Sequence, residues 1–175
     1  MGATLPVGGT IVGGVCSTTL AATSYSADGT PRTVKFRNGT IVPALGQGSA
    51  GLAEEKRPAA IEEEALRTGL SLGMTVVDTA EIYGNGRSEE LIGRAIGGQR
   101  DRVFLVSKVH PAHAVGDGVA RACDASLARL NTKYLDLYLL HWRNSDTNLA
   151  GVVKELRKSA CGGKNSRLGR VQFQS

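Results

Sequence analysis

The feature that most constrains the fold is a repeated unit made of a short apolar run, a loop and an amphipathic helix. Four such units of about 30 residues follow one another between Ala44 and Leu156. The apolar runs are nearly continuous, as in parallel strands that helices cover on one face and that are buried on the other. The repeat predicts either a (β/α)8 barrel or a doubly wound sheet. Gly46-Gln47-Gly48 lacks the third glycine of a GxGxxG segment, which favours the barrel.

Apolar runs and the residues that begin or end helices predict where the individual strands and helices lie. Strands are predicted at residues 44–48, 75–78, 103–106 and 134–140. The first helix is predicted to begin near Pro58 and to end before Gly73. Its apolar face is predicted to carry Ile61, Ala65, Leu66 and Leu70, and its exposed side Glu62, Glu63 and Glu64. Later helices are predicted from Ser88, from Asp117 and around Val152, Val153 and Leu156.

The residues before the first unit divide into two parts. Residues 33–36 and 40–42 flank Arg37-Asn38-Gly39, and Asn-Gly between two such runs is a strong signal for a β-hairpin. Residues 1–27 carry no charge, and glycine, threonine and serine interrupt their apolar stretches. A secretory signal has a basic segment before its apolar core. Residues 1–32 are therefore predicted to form a disordered leader, with a degenerate export signal as the alternative.

Composition narrows the functional classes. The 175 residues are 41% apolar and 21% charged, as expected for one globular domain, and the apolar stretches are too interrupted for a membrane span. The net charge of +5 resides in residues 151–175, which hold six basic residues and one acid. A nucleic-acid-binding domain carries its basic patch on the folded body, so we expect no nucleic-acid partner. The alternative predicts salt-dependent binding that deletion of residues 151–175 abolishes.

The cysteines and histidines favour neither a disulfide framework nor a metal site. Cys16, Cys123 and Cys161 are odd in number and far apart, and none belongs to a CxxC pair. The three histidines include no HExxH or similar spacing. We therefore expect no metal, and we expect Cys123 to face the core.

Ionisable residues follow three successive predicted strands. They are Asp78, Lys108 and His141, and Tyr83 lies five residues after Asp78 in the same loop. Taken singly, each has an ordinary structural explanation: a cap, a solvated cation, a core imidazole or a packing phenol. In a parallel barrel, however, the carboxyl ends of the strands share one mouth, where active sites are built. Together the four residues predict an active site.

The four side-chain types support the reduction of a carbonyl group. Phenols are poor acids near neutral pH, and a neighbouring ammonium group makes a phenol more acidic. We expect Tyr83 to donate a proton to a developing alkoxide, assisted by Lys108 and Asp78. His141 is expected to hydrogen-bond the same carbonyl oxygen and orient it. A bound cofactor would supply the hydride.

Six motifs in a fixed order lie between about Val34 and Leu156, a stretch that covers about 70% of the chain. They are Asn38-Gly39 with Val42–Gly48, Val77–Gly86, Ser88–Gly93, Val106–Val109, Ser126–Leu130 and Asp136–Trp142. In these motifs the chain resembles the aldo-keto reductase superfamily, and most closely its small bacterial members. The resemblance implies a (β/α)8 barrel that uses NADPH to reduce small aldehydes and ketones, without a metal.

The resemblance also implies roles for individual residues. It assigns the catalytic tetrad to Asp78, Tyr83, Lys108 and His141, with Tyr83 as the general acid. The cofactor is implied to bind near Gly48, Ser49 and Asp78, with Asp78 close to the nicotinamide ribose. Trp142 matches a position that lines the substrate pocket of the family.

The barrel itself is predicted to be incomplete. A (β/α)8 barrel takes about 250 residues, whereas residues 33–164 match only its N-terminal half, to the fourth or fifth strand–helix unit. Residues 165–175 depart from the family pattern, and codons for 167–174 can encode Ala-Trp-Gly-Val-Ser-Asn-Phe in a neighbouring frame. We therefore hypothesise a frameshifted tail. We expect impaired turnover and self-association through the unpaired edges of the half barrel.

Two further expectations remain open from the sequence. The alternative to an active reductase is a catalytically inactive fragment or a protein-interaction module of the same fold. The expected location is the cytoplasm, or the periplasm if residues 1–32 are a degraded export signal.

Overall fold

A computed structural model describes residue 30 and residues 32–161, and it begins with the predicted hairpin. Strands β1 (Thr33–Lys35) and β2 (Ile41–Pro43) pair antiparallel. Gly39 in the turn between them has a φ of 87°, and its N–H donates to the carbonyl of Phe36 at 2.9 Å. Glycine adopts this left-handed conformation without strain, which explains why Asn-Gly marks the turn. The predicted leader up to residue 29 and the predicted tail at 165–175 lie outside the described residues.

Four parallel strands follow, in the same order in the sheet as in the chain. They are β3 (Gly46–Gly48), β4 (Val76–Asp78), β5 (Phe104–Val109) and β6 (Leu137–Leu140). A doubly wound sheet reverses its strand order at a switch point, whereas a barrel adds each strand beside the previous one. The order β3-β4-β5-β6 is therefore that of consecutive barrel strands, as predicted.

A helix follows each parallel strand, also as predicted. The helices are α1 (Ala59–Ser71), α2 (Arg87–Ala95), α3 (Gly118–Arg129) and α4 (Leu149–Cys161). Short 3-10 turns lie at Tyr83–Gly86, Arg100–Arg102 and Pro111–His113. No helix in the described part of the chain is long and apolar enough to cross a membrane.

The core lies between the helices and one face of the parallel sheet. On that face Val77, Leu105 and Tyr138 are at most 1% exposed, and Cys123 of α3 packs against it at 2% exposure, as predicted. Strand residues alternate between the two faces of a sheet. The opposite face includes Phe104 and Lys108, which are only partly buried. This arrangement is that of a barrel wall, with helices outside and the barrel interior on the other side.

The predicted orientation of the first helix is only partly correct, because Leu66 and Leu70 are buried as expected but Ala65 is exposed. Ile61 was expected in the core but is 58% exposed, and Glu62 was expected in solvent but is 3% exposed. The buried stripe of α1 runs through Glu62, Leu66, Gly69 and Leu70. The burial of Glu62 is compensated in part: Oε2 accepts a hydrogen bond from the backbone N–H of Ala53 at 2.8 Å, while Oε1 has no partner among the described residues. A carboxylate that satisfies a loop amide can therefore replace an apolar residue on this face.

Asp117, from which the third helix is predicted, stands immediately before α3 but does not cap that helix with its side chain. It pairs instead with Arg121, one turn further along the same helix. Such an exposed pair contributes little to stability.

Candidate active site

The carboxyl ends of β4, β5 and β6 bring three predicted site residues to one edge of the sheet. Asp78 ends β4, Lys108 is the penultimate residue of β5 and His141 follows the last residue of β6. Asp78 is paired with Val106, and Lys108 with Leu139. The side chains converge because neighbouring parallel strands end at nearly the same height.

Lys108 and Asp78 form an ion pair at this edge. Lys108 Nζ lies 2.7 Å from Asp78 Oδ2 and donates a second hydrogen bond to the carbonyl of Thr79 at 2.8 Å. The lysine side chain is 13% exposed and the aspartate side chain 41%. The pair therefore holds the ammonium group in a largely buried position and leaves the carboxylate accessible from the mouth.

Tyr83 faces this pair and also His141. Its hydroxyl oxygen lies 3.4 Å from His141 Nε2, and the two rings meet edge to face with centroids 5.4 Å apart. Lys108 Nζ lies 5.3 Å from the centroid of the Tyr83 ring. The structure thus brings together the four residues that the sequence predicts as a tetrad.

A tight turn fixes Tyr83 at the mouth. The Tyr83 N–H donates to the carbonyl of Ala80 at 3.1 Å, and the next two residues, Gly84 and Asn85, have left-handed φ values of 56° and 55°. A Cβ on Gly84 would lie 3.2 Å from the carbonyl oxygen of Ala53, which belongs to the loop after β3. Glycine therefore lets that loop pack closely against the Tyr83 segment.

His141 is held as a neutral imidazole at neutral pH. Burial first, and then the positive charge of Lys108, lower its pKa from the ordinary value of 6.5. A neutral imidazole carries one N–H and one acceptor nitrogen. Nε2 faces the Tyr83 hydroxyl, while Nδ1 is buried without a hydrogen-bond partner among the described residues.

The three residues expected near a cofactor occupy different environments. Nothing lies within 4 Å of the position that a Cβ on Gly48 would take, so the main chain there borders open space. Ser49 is fully buried: its N–H donates to the carbonyl of Asp78, and its carbonyl accepts from Ser88 Oγ. Ser49 Oγ itself has no partner in the described part of the structure. Gly48 and Asp78 thus border the accessible edge, with Ser49 behind them.

Trp142 packs between two imidazole rings beside the tetrad. Its ring centroid lies 4.6 Å from that of His141 and 4.9 Å from that of His110, and the residue is 42% exposed. The sequence analysis gave no site role to His110 or to Glu81, whose carboxylate contacts the His110 backbone. The position of His110, two residues after Lys108, is a signal that could have identified it, because that spacing places two side chains on one face of a strand.

This site combines a phenol, a fixed cation and a neutral imidazole at an accessible rim. The phenol can donate a proton, and the cation and the imidazole can stabilise negative charge that develops on an oxygen atom between them. The open space at Gly48 adjoins the same rim. Such a set can polarise and protonate a carbonyl oxygen.

Comparison with known proteins agrees with this geometry. The Aldo/keto reductase family matches residues 44–170. The chain is 45% identical over 136 residues to methylglyoxal reductase YeaE of Escherichia coli (strain K12), covering 78% of this chain and 48% of that protein. A crystal structure of an aldo/keto reductase from Klebsiella pneumoniae, in complex with NADP and acetate, superposes with a TM-score of 0.73 and 47% identity. The match covers 79% of this chain and 48% of that one.

A second solved structure supports the same relationship. The thermostable aldo-keto reductase Tm1743, in complex with the inhibitor epalrestat, has a TM-score of 0.70 and 38% identity over 74% of this chain and 49% of that chain. The chain thus spans about half the length of the relatives it matches. Its parallel sheet and helices form part of the (β/α)8 barrel of these proteins. Since the family match covers most of the sequence, the chain belongs to the aldo/keto reductase family.

Proposed function

We propose that the mouth of this half barrel carries the proton-transfer machinery of an NADPH-dependent reductase of aldehydes and ketones. The observation that carries the proposal is the convergence of the Lys108–Asp78 ion pair at 2.7 Å with the Tyr83 hydroxyl, 3.4 Å from His141 Nε2. The family relationship supports the same reaction class.

Each tetrad residue has one task in this proposal. The Tyr83 hydroxyl donates its proton to the carbonyl oxygen as negative charge develops there. Lys108 Nζ stabilises the phenolate that remains, and Asp78 keeps the ammonium group in position. His141 contributes a neutral ring whose Nε2, close to the Tyr83 hydroxyl, orients the carbonyl oxygen.

NADPH is the proposed cofactor, and the accessible edge fits it. The support is the open space beside the Gly48 main chain, the accessible Asp78 carboxylate and the unpartnered Ser49 Oγ behind them. Close structural neighbours were crystallised with NADP or NADPH. When bound, the reduced nicotinamide supplies the hydride. Gly48 and Asp78 would border it, while Ser49 would hold the edge through its bonds to Asp78 and Ser88.

The proposed substrates are small carbonyl compounds, with methylglyoxal as the first to test. The similarity to the methylglyoxal reductase YeaE supports this choice. Trp142, half-exposed and held edge-on by His141 and His110, would form one wall of the substrate site.

The test separates cofactor binding from turnover. The chain has one tryptophan, so quenching of its emission on titration with NADPH reports binding at the mouth. Loss of NADPH absorbance in the presence of methylglyoxal reports turnover. Tyr83→Phe should bind NADPH like the wild type and lose about 10²- to 10⁴-fold in kcat, the usual contribution of a general acid. NADPH binding without turnover in the wild type would favour the alternative, an inactive fragment, and absence of both would reject the proposal for this chain.

A further inference from the structure

Glu81 is a buried carboxylate at the mouth to which neither the tetrad nor the proposed cofactor edge gives a role. It lies between Asp78 and Tyr83 in the chain, and its side chain is 8% exposed. Its backbone N–H donates to the carbonyl of Lys108 at 3.3 Å, so its main chain extends the pairing of β4 with β5 beyond the strand ends. The segment that carries Tyr83 is therefore joined here to the end of β5.

The Glu81 side chain makes a second connection across the same two loops. Its Oε1 accepts a hydrogen bond from the backbone N–H of His110 at 2.5 Å and lies 3.0 Å from His113 Nδ1. Both histidines belong to the turn that follows β5. His113 is 60% exposed at its side chain, so its contact is the outer and weaker part of this arrangement. We call the Glu81 carboxylate with these two contacts the Glu81 clasp.

The clasp holds the backbone of His110, whose ring is itself restrained. His110 Nδ1 accepts a hydrogen bond from the N–H of Ala112 at 3.1 Å, so its backbone and its ring are both restrained. The ring meets Trp142 at nearly a right angle, 89°, with centroids 4.9 Å apart. Trp142 in turn contacts the ring of His141. A continuous set of contacts therefore runs from Glu81 through His110 and Trp142 to the tetrad.

We propose that Glu81 is a positioning residue that fixes His110 and, through it, the Trp142 wall on which the carbonyl substrate rests. The carboxylate oxygen performs this task by accepting the His110 N–H, while the contact with His113 is secondary. Glu81 takes no part in proton transfer, since its carboxylate is already engaged with the turn after β5. The effect on substrate rests on the proposed function, whereas the effect on Trp142 does not.

Fluorescence of the full chain tests the clasp without cofactor or turnover, because Trp142 is the single tryptophan. Glu81→Ala should shift its emission to longer wavelength and raise its quenching by acrylamide. Glu81→Gln keeps an oxygen that can accept the His110 N–H and should stay close to the wild type. His113→Ala should also stay close, since it removes only the outer contact. Glu63→Ala is the matched control: Glu63 also bridges two groups, Arg67 and Arg94, but lies on α1.

A second variant addresses the case in which Glu81→Ala loses its fold by circular dichroism. His110→Ala keeps the hydrogen bond that the Glu81 carboxylate accepts from the backbone N–H of residue 110, but it removes the ring against which Trp142 packs. It should produce the same emission shift and the same increase in acrylamide quenching. Unchanged Trp142 emission in folded Glu81→Ala or in His110→Ala overturns the proposal, as does an equal perturbation by Glu81→Gln and Glu81→Ala.

Kinetics separate a positioning role from a purely stabilising one. With methylglyoxal, Glu81→Ala should raise KM about tenfold, within the hundredfold that a displacement of about 1 Å can cost, and should leave kcat within about twofold. Glu81→Gln should restore KM. A fall in kcat at constant KM would contradict the assignment. Absence of any turnover in the wild type would count against the proposed function and leave the fluorescence test of the clasp decisive.

Discussion

The two ends of the parallel sheet carry the same kind of ion pair in opposite settings. At the carboxyl ends of the strands, Lys108 Nζ lies 2.7 Å from Asp78 Oδ2. At the amino ends, Arg100 Nη2 lies 2.8 Å from Asp136 Oδ2. The cations are 13% and 15% exposed, so burial of the positive charge does not distinguish them. What differs is how completely each end satisfies its polar groups.

At the amino end, the charged side chains of Arg100 and Asp136 have many hydrogen-bond partners. Arg100 donates to Thr132 Oγ1, to the carbonyls of Val103 and Tyr134 and to Asp136, and its guanidinium stacks over the Tyr134 ring at 3.8 Å. The other role of Asp136 is to accept the backbone N–H of Leu105. Apart from the local bond to Val103, these contacts join β5 and the turn before it to the segment before β6. This end therefore serves stability, as the amino face of a barrel usually does.

At the carboxyl end, several polar groups have hydrogen-bonding capacity that no described residue uses. Lys108 Nζ donates to two acceptors among the described residues, although an ammonium group has three donors. Thr79 Oγ1, Ser49 Oγ and His141 Nδ1 are buried there without a partner in the described part of the chain. Unsatisfied buried groups cost stability unless a ligand engages them. This difference fits the proposal that the carboxyl end meets a ligand, whereas the amino end holds the fold.

The largest expected effect is on activity, at the carboxyl end. Lys108→Met removes the cation beside Tyr83 and should lower kcat with methylglyoxal by about 10²- to 10⁴-fold. The free energy of unfolding should change little, because the released Asp78 carboxylate is 41% exposed and can be hydrated. NADPH consumption and urea unfolding measure the two quantities. A large loss of stability with an unchanged kcat would mean that Lys108 serves the fold and not the reaction, which contradicts the difference drawn between the two ends.

The next effect is on stability, at the amino end. Arg100→Met should lower the free energy of unfolding by about 2 kcal/mol, because it removes the cation from Asp136 and takes the guanidinium donors from the carbonyls of Val103 and Tyr134. The urea midpoint measures this loss. Arg102→Met, at an exposed residue of the same 3-10 turn, is the control and should leave the midpoint nearly unchanged. Equal urea midpoints for the two variants would show that the hydrogen bonds of Arg100 do not contribute to the free energy of unfolding.

Sequence patterns anticipated the two ends unequally. The positions of Asp78, Lys108 and His141 follow from strand ends, because consecutive parallel strands terminate along one edge. Tyr83 follows from its distance to Asp78 along the loop. The hairpin, the order of the parallel strands and the four helices were also predictable, since apolar runs, turn residues and helix caps are local signals.

The residues that escaped prediction are those whose partners lie in other loops. Glu62 resembles a solvent-facing acid among three successive glutamates, and only the approach of the loop after β3 gives it the Ala53 N–H. Glu81 and His110 likewise meet only after β4 and β5 are paired. The hydrophobic pattern of a sequence describes one helix or strand at a time. It therefore cannot indicate that a polar residue is buried by a loop from elsewhere in the chain.

The smallest expected effect is the pH dependence of stability, which should originate at the carboxyl end. The fold lowers the pKa of His141 below 6.5, first by burial and then through the charge of Lys108. Between the lowered pKa and 6.5 the unfolded chain binds a proton that the folded chain does not, so stability falls as the pH drops through this window. His141→Gln should flatten the decline in urea midpoint between about pH 7 and 5, the range in which histidine titrates.

Two variants locate this dependence at one end of the sheet. Lys108→Met should flatten the decline in part, because it removes the second cause of the lowered pKa and leaves the burial of His141 in place. Arg100→Met should shift the midpoints downward at every pH and keep the slope of the wild type, since the amino end lies away from His141. A slope in His141→Gln as steep as in the wild type would mean that the decline comes from other groups. The mouth would then differ from the amino end in chemistry but not in its response to protons.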